Sequence, residues 1–492
     1  MSAEQYIAVD LGAESGRVVL GTLSRDSGRP SLGMEELHRF PTGGIKVLDT
    51  LQWDVTRMYA EIIEGLRRAA QRGGERVRGV AVDTWGVDFG LVARDGSLLG
   101  NPIHYREPRT TEGMPGRMFE IVPARDFYRS TGIQAMPINT ACKLTALTQA
   151  GAGLLEAADS LHMMNDVFTY LLSGVRVCEY TNASTTQLLD ARTRRWDDSL
   201  IARLGLPRHL FMEPASPASV VGPLHPAVAA ETGLSPSVEV LCAAGHDTAC
   251  AVAAIPHVDP DVSWAFLSSG TWSLLGAEIS EPVLSEAARE ANFTNEGGVD
   301  GKIRFLKNIS GLWLLQECRR TWAMEGMPLG YADLAAQAGA SEPFRTLFDA
   351  DHSDFLAPSN MPAAICTHCR AQGLAIPETP GQFARGIFES LALAYRRTLQ
   401  AMDRLLGRRT ERLYIVGGGV RNRLLCQMTA DACGLPVYLG PSEATSLGNV
   451  ILQAMACGAL GSLAEARKLV AAHAGVEVIY PGDGRVWNGL GG

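Results

Sequence analysis

The apolar positions fall into short alternating runs and one-sided helical stripes, and the same succession of the two occurs twice along the chain. Near the start, Tyr6-Ile-Ala-Val-Asp10 reads as a strand, residues 11–17 as a Gly- and Ser-bearing loop, and residues 18–23 as a second strand. A turn at 24–29 and an extended piece at 32–40 follow. Met58, Ile62 and Leu66 then recur every four residues, with Tyr59, Ile63 and Ala70 beside them. That spacing predicts an amphipathic helix, which Gly73-Gly74 ends. A strand over 77–82 runs into Asp83-Thr-Trp-Gly86. The second half repeats the order: strand 264–267, loop 268–271, strand 272–279, a helix over 382–406, and a strand over 413–416 running into Gly417-Gly-Gly419. Ile387, Leu391 and Tyr395 mark the apolar stripe of that second helix.

At 492 residues the chain is too long for one core, and two large domains are expected. The Pro-bearing stretch 255–260 is the best linker, giving domains 1–255 and 256–492. Composition is that of a soluble globular protein except for its 52 Gly, many of them in tight loops after apolar runs. A net charge of −9 argues against a nucleic-acid binder but not against a nucleotide, since a Gly-rich loop holds phosphates in an acidic protein. The start lacks a basic segment followed by an apolar one, and no apolar run is long enough for a membrane helix. The ten Cys form no framework, and Cys142, Cys242, Cys250, Cys426 and Cys433 lie in apolar contexts, as in a reduced, cytoplasmic protein.

The chain has no Walker A loop. Gly417-Gly-Gly419 follows a strand but lacks the third Gly of a dinucleotide fingerprint. The two strand–loop–strand turns are a different device. Backbone N–H groups at such turns form an anion nest, and the first adds Asp10 before it and Arg17 after it. Asp10 suits Mg²⁺ held through water. Arg17 is either a phosphate partner or a surface ion pair, and two plain hairpins remain the bland reading. Asp247 follows an apolar strand over 238–243 and precedes a helix over 249–254. It is either a general base or a helix cap. His246 beside it is either structural or in contact with a substrate hydroxyl. Asp88 is a rival carboxylate, and Trp85 is either core or a stacking surface. Cys366-Thr-His-Cys369 has metal-ligand residue types, but no second Cys pair follows at suitable spacing, so no structural zinc is expected there.

The stretches VDLGAESGRV (9–18), VDTWGVDFGL (82–91), HYREPRT (104–110), GIQAMPINT (132–140), EYTNASTTQLLD (179–190), AGHDTACAVAA (244–254), SSGTWSLLG (268–276), NFTNEGG (292–298), FLKNISGLWLLQE (305–317) and VGGGVRN (416–422) resemble the FGGY carbohydrate kinases of the actin-like ATPase superfamily. TNASTTQLLD and LKNISGLWLLQE are the specific ones, and within the family they are most similar to the kinases of L-rhamnulose. The resemblance implies an α/β fold of two actin-like (ribonuclease H-like) domains with a central nucleotide and sugar cleft. It implies ATP and Mg²⁺ as cofactors, a small sugar as partner, and neither nucleic acid nor membrane; the chain would act as monomer or homodimer. Asp247 becomes the base. Gly86, His246, Asp247, Thr248 and Asn308 become substrate contacts, and Ala13, Glu14, Ser15, Gly16, Arg17, Thr271, Gln316 and Gly418 nucleotide contacts. Asp10 becomes the metal-side acid. The expected reaction is γ-phosphate transfer to the 1-hydroxyl of L-rhamnulose. The alternatives are another ketose such as L-fuculose, or a non-catalytic actin-like nucleotide-binding protein. Glu107 stands where Asp is expected, and Glu14 replaces a small residue in the first loop.

Overall fold

The computed structural model of the protein describes residues 3–24, 30–151, 153–482 and 484–489. The turn expected at 24–29 lies outside them from residue 25 onward. The chain forms two compact units. One comprises Met1–Val258, Glu278–Phe305 and Ala444–Ala474; the other comprises Asp259–Ala277, Leu306–Glu443 and Gly475–Gly492. The first crossing lies close to the expected linker, whereas Glu278–Phe305 and Ala444–Ala474 return to the first unit.

The sheet of the first unit has the strand order Ser31–Pro41, Ser15–Ser24, Glu4–Leu11, Val77–Thr84, Glu239–Cys242, Ser219–Pro223. Glu4–Leu11 pairs antiparallel with Ser15–Ser24 and parallel with Val77–Thr84, which is itself parallel to Glu239–Cys242. Between hairpin and parallel strand runs the expected helix, Val55–Gly73. Asp54 caps it by accepting the Arg57 N–H, and Gly74 at φ 59° ends it. Its buried face carries Met58, Ile62, Ile63 and Leu66, each contributing roughly 1.5–3 kcal/mol by leaving water. Gly65 lets it lie on Ser15–Ser24, because a Cβ there would stand 2.3 Å from Val18.

The helix Ala444–Ala456 covers the same sheet. A Cβ on Gly448 would stand 1.8 Å from the Cys250 carbonyl, so this helix touches the backbone of the helix Asp247–Ala253. Its Gln453 donates to the Ile7 carbonyl at 2.9 Å. These contacts are what bring a late segment of the chain back to the first unit.

The second sheet has the order Thr294–Gly297, Ile303–Ser310, Trp272–Ile279, Trp264–Ser269, Arg412–Val416, Val437–Leu439, Glu477–Ile479, one strand more than the first. The pairing senses match the first sheet: an antiparallel hairpin, two parallel strands and an antiparallel edge. The helix Pro380–Leu406 precedes the first parallel strand, capped by Thr379 and ended by Gly407 at φ 62°. The architectural repetition read from the hydrophobic pattern is therefore a repetition of topology.

Two expectations change in detail. The first hairpin loop is only 12–14, because Ser15, Gly16 and Arg17 already pair across the ladder, Gly16 with Leu11 and Arg17 with Asp10. Gly16 is small because a Cβ would stand 2.6 Å from the Phe40 ring. The helix after the strand 239–242 begins at Asp247, so His246, not Asp247, is its N-cap. No helix among the described residues is long and apolar enough to cross a membrane, and all ten cysteines are free.

Candidate active site

Three adjacent parallel strands of the first unit end in acids or lead to one, at the sheet edge where open α/β sheets present their ligand-binding loops. Asp10 and Asp83 are ladder partners, and Thr84 bridges to His246, which precedes Asp247. Asp10 Oδ2 accepts from Arg17 Nε at 2.9 Å and from Ser446 Oγ at 2.7 Å. Arg17 is thus in an ion pair with Asp10. Asp83 Oδ2 accepts from Asn449 Nδ2 at 2.6 Å, while among the described residues nothing hydrogen-bonds to its buried Oδ1. Burial first, then the Asp10 carboxylate, pushes Asp83 well above the usual carboxylate range; Asn449 opposes this, and Asp247 adds to the rise.

Asp247 is held by one oxygen. Oδ1 faces His246 Nδ1 at 2.8 Å and accepts from the N–H and the hydroxyl of Thr248. Among the described residues nothing hydrogen-bonds to Oδ2, and the side chain is 28% exposed. One carboxylate oxygen is fixed and the other is available to take a proton, which suits a positioned base.

His246 stands between two acids. Its Nε2 lies 3.6 Å from Oε2 of buried Glu296, which in turn lies 3.1 Å from Arg304 Nη1. The latter contact has the distance but not the angles of a hydrogen bond. Arg304 is fully buried, and its Nε donates to the Gly297 carbonyl at 2.8 Å. Gly86 faces this edge: a Cβ there would stand 3.1 Å from both His246 Nε2 and Thr185 Cγ2. Val87, next to it, is held at φ 66°, costly for a β-branched residue. Thr185 accepts its N–H at 3.1 Å and Thr140 donates to its carbonyl at 2.7 Å.

The TNASTT stretch ties these loops together. Buried Glu179 accepts from Gly245 N at 2.8 Å and from the N–H groups of Thr181 and Asn182. Asn182 Nδ2 reaches Asn165 Oδ1 at 2.8 Å, Thr84 Oγ1 at 3.2 Å and the Gly245 carbonyl at 3.3 Å. Thr181 Oγ1 accepts from His246 N at 3.1 Å.

Asp88 is excluded as a base. Its Oδ2 accepts from Trp53 Nε1 at 2.6 Å and Trp85 Nε1 at 2.9 Å, and Oδ1 pairs with Lys143 Nζ. Both partners of that ion pair are buried. Trp85 belongs to the same aromatic core, 4.0 Å from Trp53 between ring centroids. Glu107 caps the short helix Pro108–Thr111, accepting from Arg109 N, and also accepts from Leu51 N at 2.6 Å. Glu14 is exposed on the first loop, beside Ala13 and Ser15.

In the second unit the loop 270–271 meets the start of the helix Trp313–Met324: Leu312 N donates to the Gly270 carbonyl at 3.0 Å and Trp313 N to the Thr271 carbonyl at 3.1 Å. Gln316 follows one turn later on the same helix, and among the described residues nothing hydrogen-bonds to its buried Oε1. Gly417 and Gly419 pack on Ser269, where a Cβ would stand 3.0 Å and 2.0 Å away, while Gly418 opens on free space. Asn308 is half-buried on the strand Ile303–Ser310.

Sequence reasoning missed Asp83, Glu296, Arg304, Ser446 and Asn449. The last two had a signal. Ser446, Asn449 and Gln453 form a polar stripe at helical spacing in an otherwise apolar helix, and buried polar side chains need partners.

The N-terminal domain model of the FGGY family of carbohydrate kinases matches residues 5–254, and the C-terminal domain model matches 265–457. A rhamnulokinase of Bacteroides thetaiotaomicron is 43% identical over 485 residues, covering 99% of this chain and 97% of that protein. A rhamnulokinase of Oceanobacillus iheyensis is 39% identical over 464 residues, covering 94% and 96%. Among solved structures, a gluconate kinase from Lactobacillus acidophilus superposes with a TM-score of 0.79 at 15% identity, covering 99% of this chain and 96% of that one, a likeness of fold. The matched models and the full-length relatives agree with the duplicated sheets, and the chain belongs to the FGGY family of carbohydrate kinases.

Proposed function

We propose that the protein transfers the γ-phosphate of ATP to the 1-hydroxyl of L-rhamnulose, giving L-rhamnulose 1-phosphate and ADP. The observation that carries the mechanism is Asp247, fixed through Oδ1 with Oδ2 open. Asp247 takes the hydroxyl proton as the oxygen attacks phosphorus, while Gly86, His246, Thr248 and Asn308 place the sugar. The rhamnulokinase relatives support the choice of sugar.

A divalent cation fits the acids of the first unit, because Asp83 Oδ1 is buried without a hydrogen bond beside Asp10. Asp10 and Asp83 would hold Mg²⁺, in part through water. When bound, Mg²⁺ neutralises charge on the phosphate oxygens. ATP fits the open backbone at Gly418 and the unbonded Gln316 Oε1. With Thr271, these would take the nucleoside end, and Ala13, Glu14, Ser15, Gly16 and Arg17 the phosphate end. We further propose a cytoplasmic monomer or homodimer, with domains 1–255 and 256–492.

The test is ADP release at saturating MgATP with L-rhamnulose, L-fuculose, D-xylulose and glycerol in parallel. The expected result is a strong preference for L-rhamnulose. Preference for another sugar overturns the substrate, and ATP turnover indifferent to every sugar overturns the kinase reading.

Glu296 supplies a separate prediction. Glu296→Gln removes the charge beside His246 Nε2, so the ring loses one of the two acids that orient it. Turnover is expected to fall by up to about a hundredfold, the scale of a small misplacement at a reacting centre. Steady-state rates, with circular dichroism to confirm folding, check it. An unchanged kcat and KM would show that His246 needs no support from that side.

A further inference from the structure

The Cys366-Thr-His-Cys369 stretch finds no use in the kinase chemistry, and the structure separates its residues. Cys366 Sγ lies 4.0 Å from the Pro377 carbonyl, and Cys369 is buried. His368, on the helix Met361–Ala371, turns instead toward His352 and Asp354 on the short turn before it. Ligand atoms of His352, Asp354 and His368 all lie within 4.8 Å of one another, and neither cysteine joins the group.

We propose that His352, Asp354 and His368 form a zinc-class metal site in the second unit, with water completing the coordination. Asp354 Oδ2 is 3.3 Å from His352 Nδ1 and 3.9 Å from His368 Nδ1. Both separations are long for charge-assisted hydrogen bonds, which run at about 2.7–2.9 Å. The shorter of the two is the spacing of ligands around one ion. Two donors each about 2.1 Å from a tetrahedral centre stand about 3.4 Å apart. The imidazole centroids are 4.5 Å apart, tilted by 58°, so the rings converge without stacking.

The second observation concerns His368 itself. Its side chain is 5% exposed, and among the described residues neither ring nitrogen makes a hydrogen bond. An imidazole to which no protein group hydrogen-bonds keeps a nitrogen lone pair available to a ligand. Phe348 and Phe355 back the ring, with centroids 6.4 and 5.1 Å away, and supply no polar partner from their side chains. His352 Nδ1 also accepts the Asp354 N–H at 3.4 Å, capping the short turn, and among the described residues no hydrogen bond is made by its Nε2. Two imidazoles and one carboxylate suit zinc, copper or nickel rather than magnesium. The site is thus distinct in chemistry from the Asp10 and Asp83 pair.

The test uses the full chain, stripped with a chelator and desalted, and zinc chloride as the only probe. Zinc is titrated in competition with a chromophoric chelator. One tightly bound equivalent is expected. His352→Ala and Asp354→Asn, both at partly exposed positions, are each expected to weaken binding at least about tenfold. Cys366→Ser is expected to leave it unchanged. Cobalt in place of zinc is expected to give a four-coordinate spectrum without a thiolate charge-transfer band. Saturating zinc is expected to raise the unfolding midpoint of the native chain and not that of His352→Ala. Absence of a stoichiometric equivalent, binding undiminished in the His352→Ala/Asp354→Asn double variant, or loss on Cys366→Ser overturns the site.

Discussion

Asp247→Asn is expected to lower kcat by about 10²–10⁴-fold while leaving the KM for sugar within a fewfold of its native value, the range that a positioned general base supplies. Asn keeps the size of the side chain, and its carbonyl oxygen can still accept the N–H and hydroxyl of Thr248 at the place of Oδ1. What is lost is the second oxygen's capacity to take a proton. The sugar contacts proposed for Gly86, His246 and Thr248 stay in place, so ground-state binding stays and the transition state loses its acceptor. Steady-state ADP release against sugar concentration reads both parameters. A rise in KM with kcat preserved would make Asp247 a binding residue and leave the base unassigned. Asp88 is no substitute, because both of its oxygens are occupied by Trp53, Trp85 and Lys143.

Lys143→Met is the largest stability change expected. Lys143 and Asp88 are both buried, and burial pulls the lysine below its usual range while Asp88 draws it back up. Removing one partner leaves a charge in the core, which costs about 3–5 kcal/mol. Urea unfolding followed by intrinsic fluorescence reads this, since Trp53 and Trp85 hydrogen-bond to the same carboxylate. The double variant Lys143→Met/Asp88→Asn is expected to regain much of the loss, because neither charge is then unpaired. A Lys143→Met chain as stable as the native one would mean that Asp88 is neutral or reached by water. Because Asp88 anchors Trp85, one residue from Gly86, the KM for sugar is expected to rise in the same variant.

Local physics explains which features were legible in the chain. The helix Val55–Gly73 followed from a four-residue apolar repeat, a capping Asp and a Gly at its end, all properties of neighbours in sequence. The two hairpins were legible as strand–loop–strand runs, and their recurrence disclosed the duplication. The loop of the first hairpin is shorter than the 11–17 that the apolar pattern predicts, because cross-strand pairing already includes Gly16. The smallness of Gly16 is set by Phe40 on the neighbouring strand, a contact that periodicity does not encode. Family motifs pointed to Asp247 and to the stretch around Gly86, and the helix start moved the capping role to His246.

The amino-acid sequence by itself determined the elements, their repetition, the family and the identity of the acid proposed as base. These rest on short-range spacing and on motifs whose residues are contiguous. The tertiary structure decided which polar groups meet. Ser446 and Asn449 reach Asp10 and Asp83 across more than 360 positions, Glu296 reaches His246 with Arg304 behind it, and His368 leaves its own motif for His352 and Asp354. A buried polar side chain is satisfied by whichever donor or acceptor packing delivers, and packing is a property of the whole chain. No local rule names that partner, and so the support of the site became visible only once the sheets were covered.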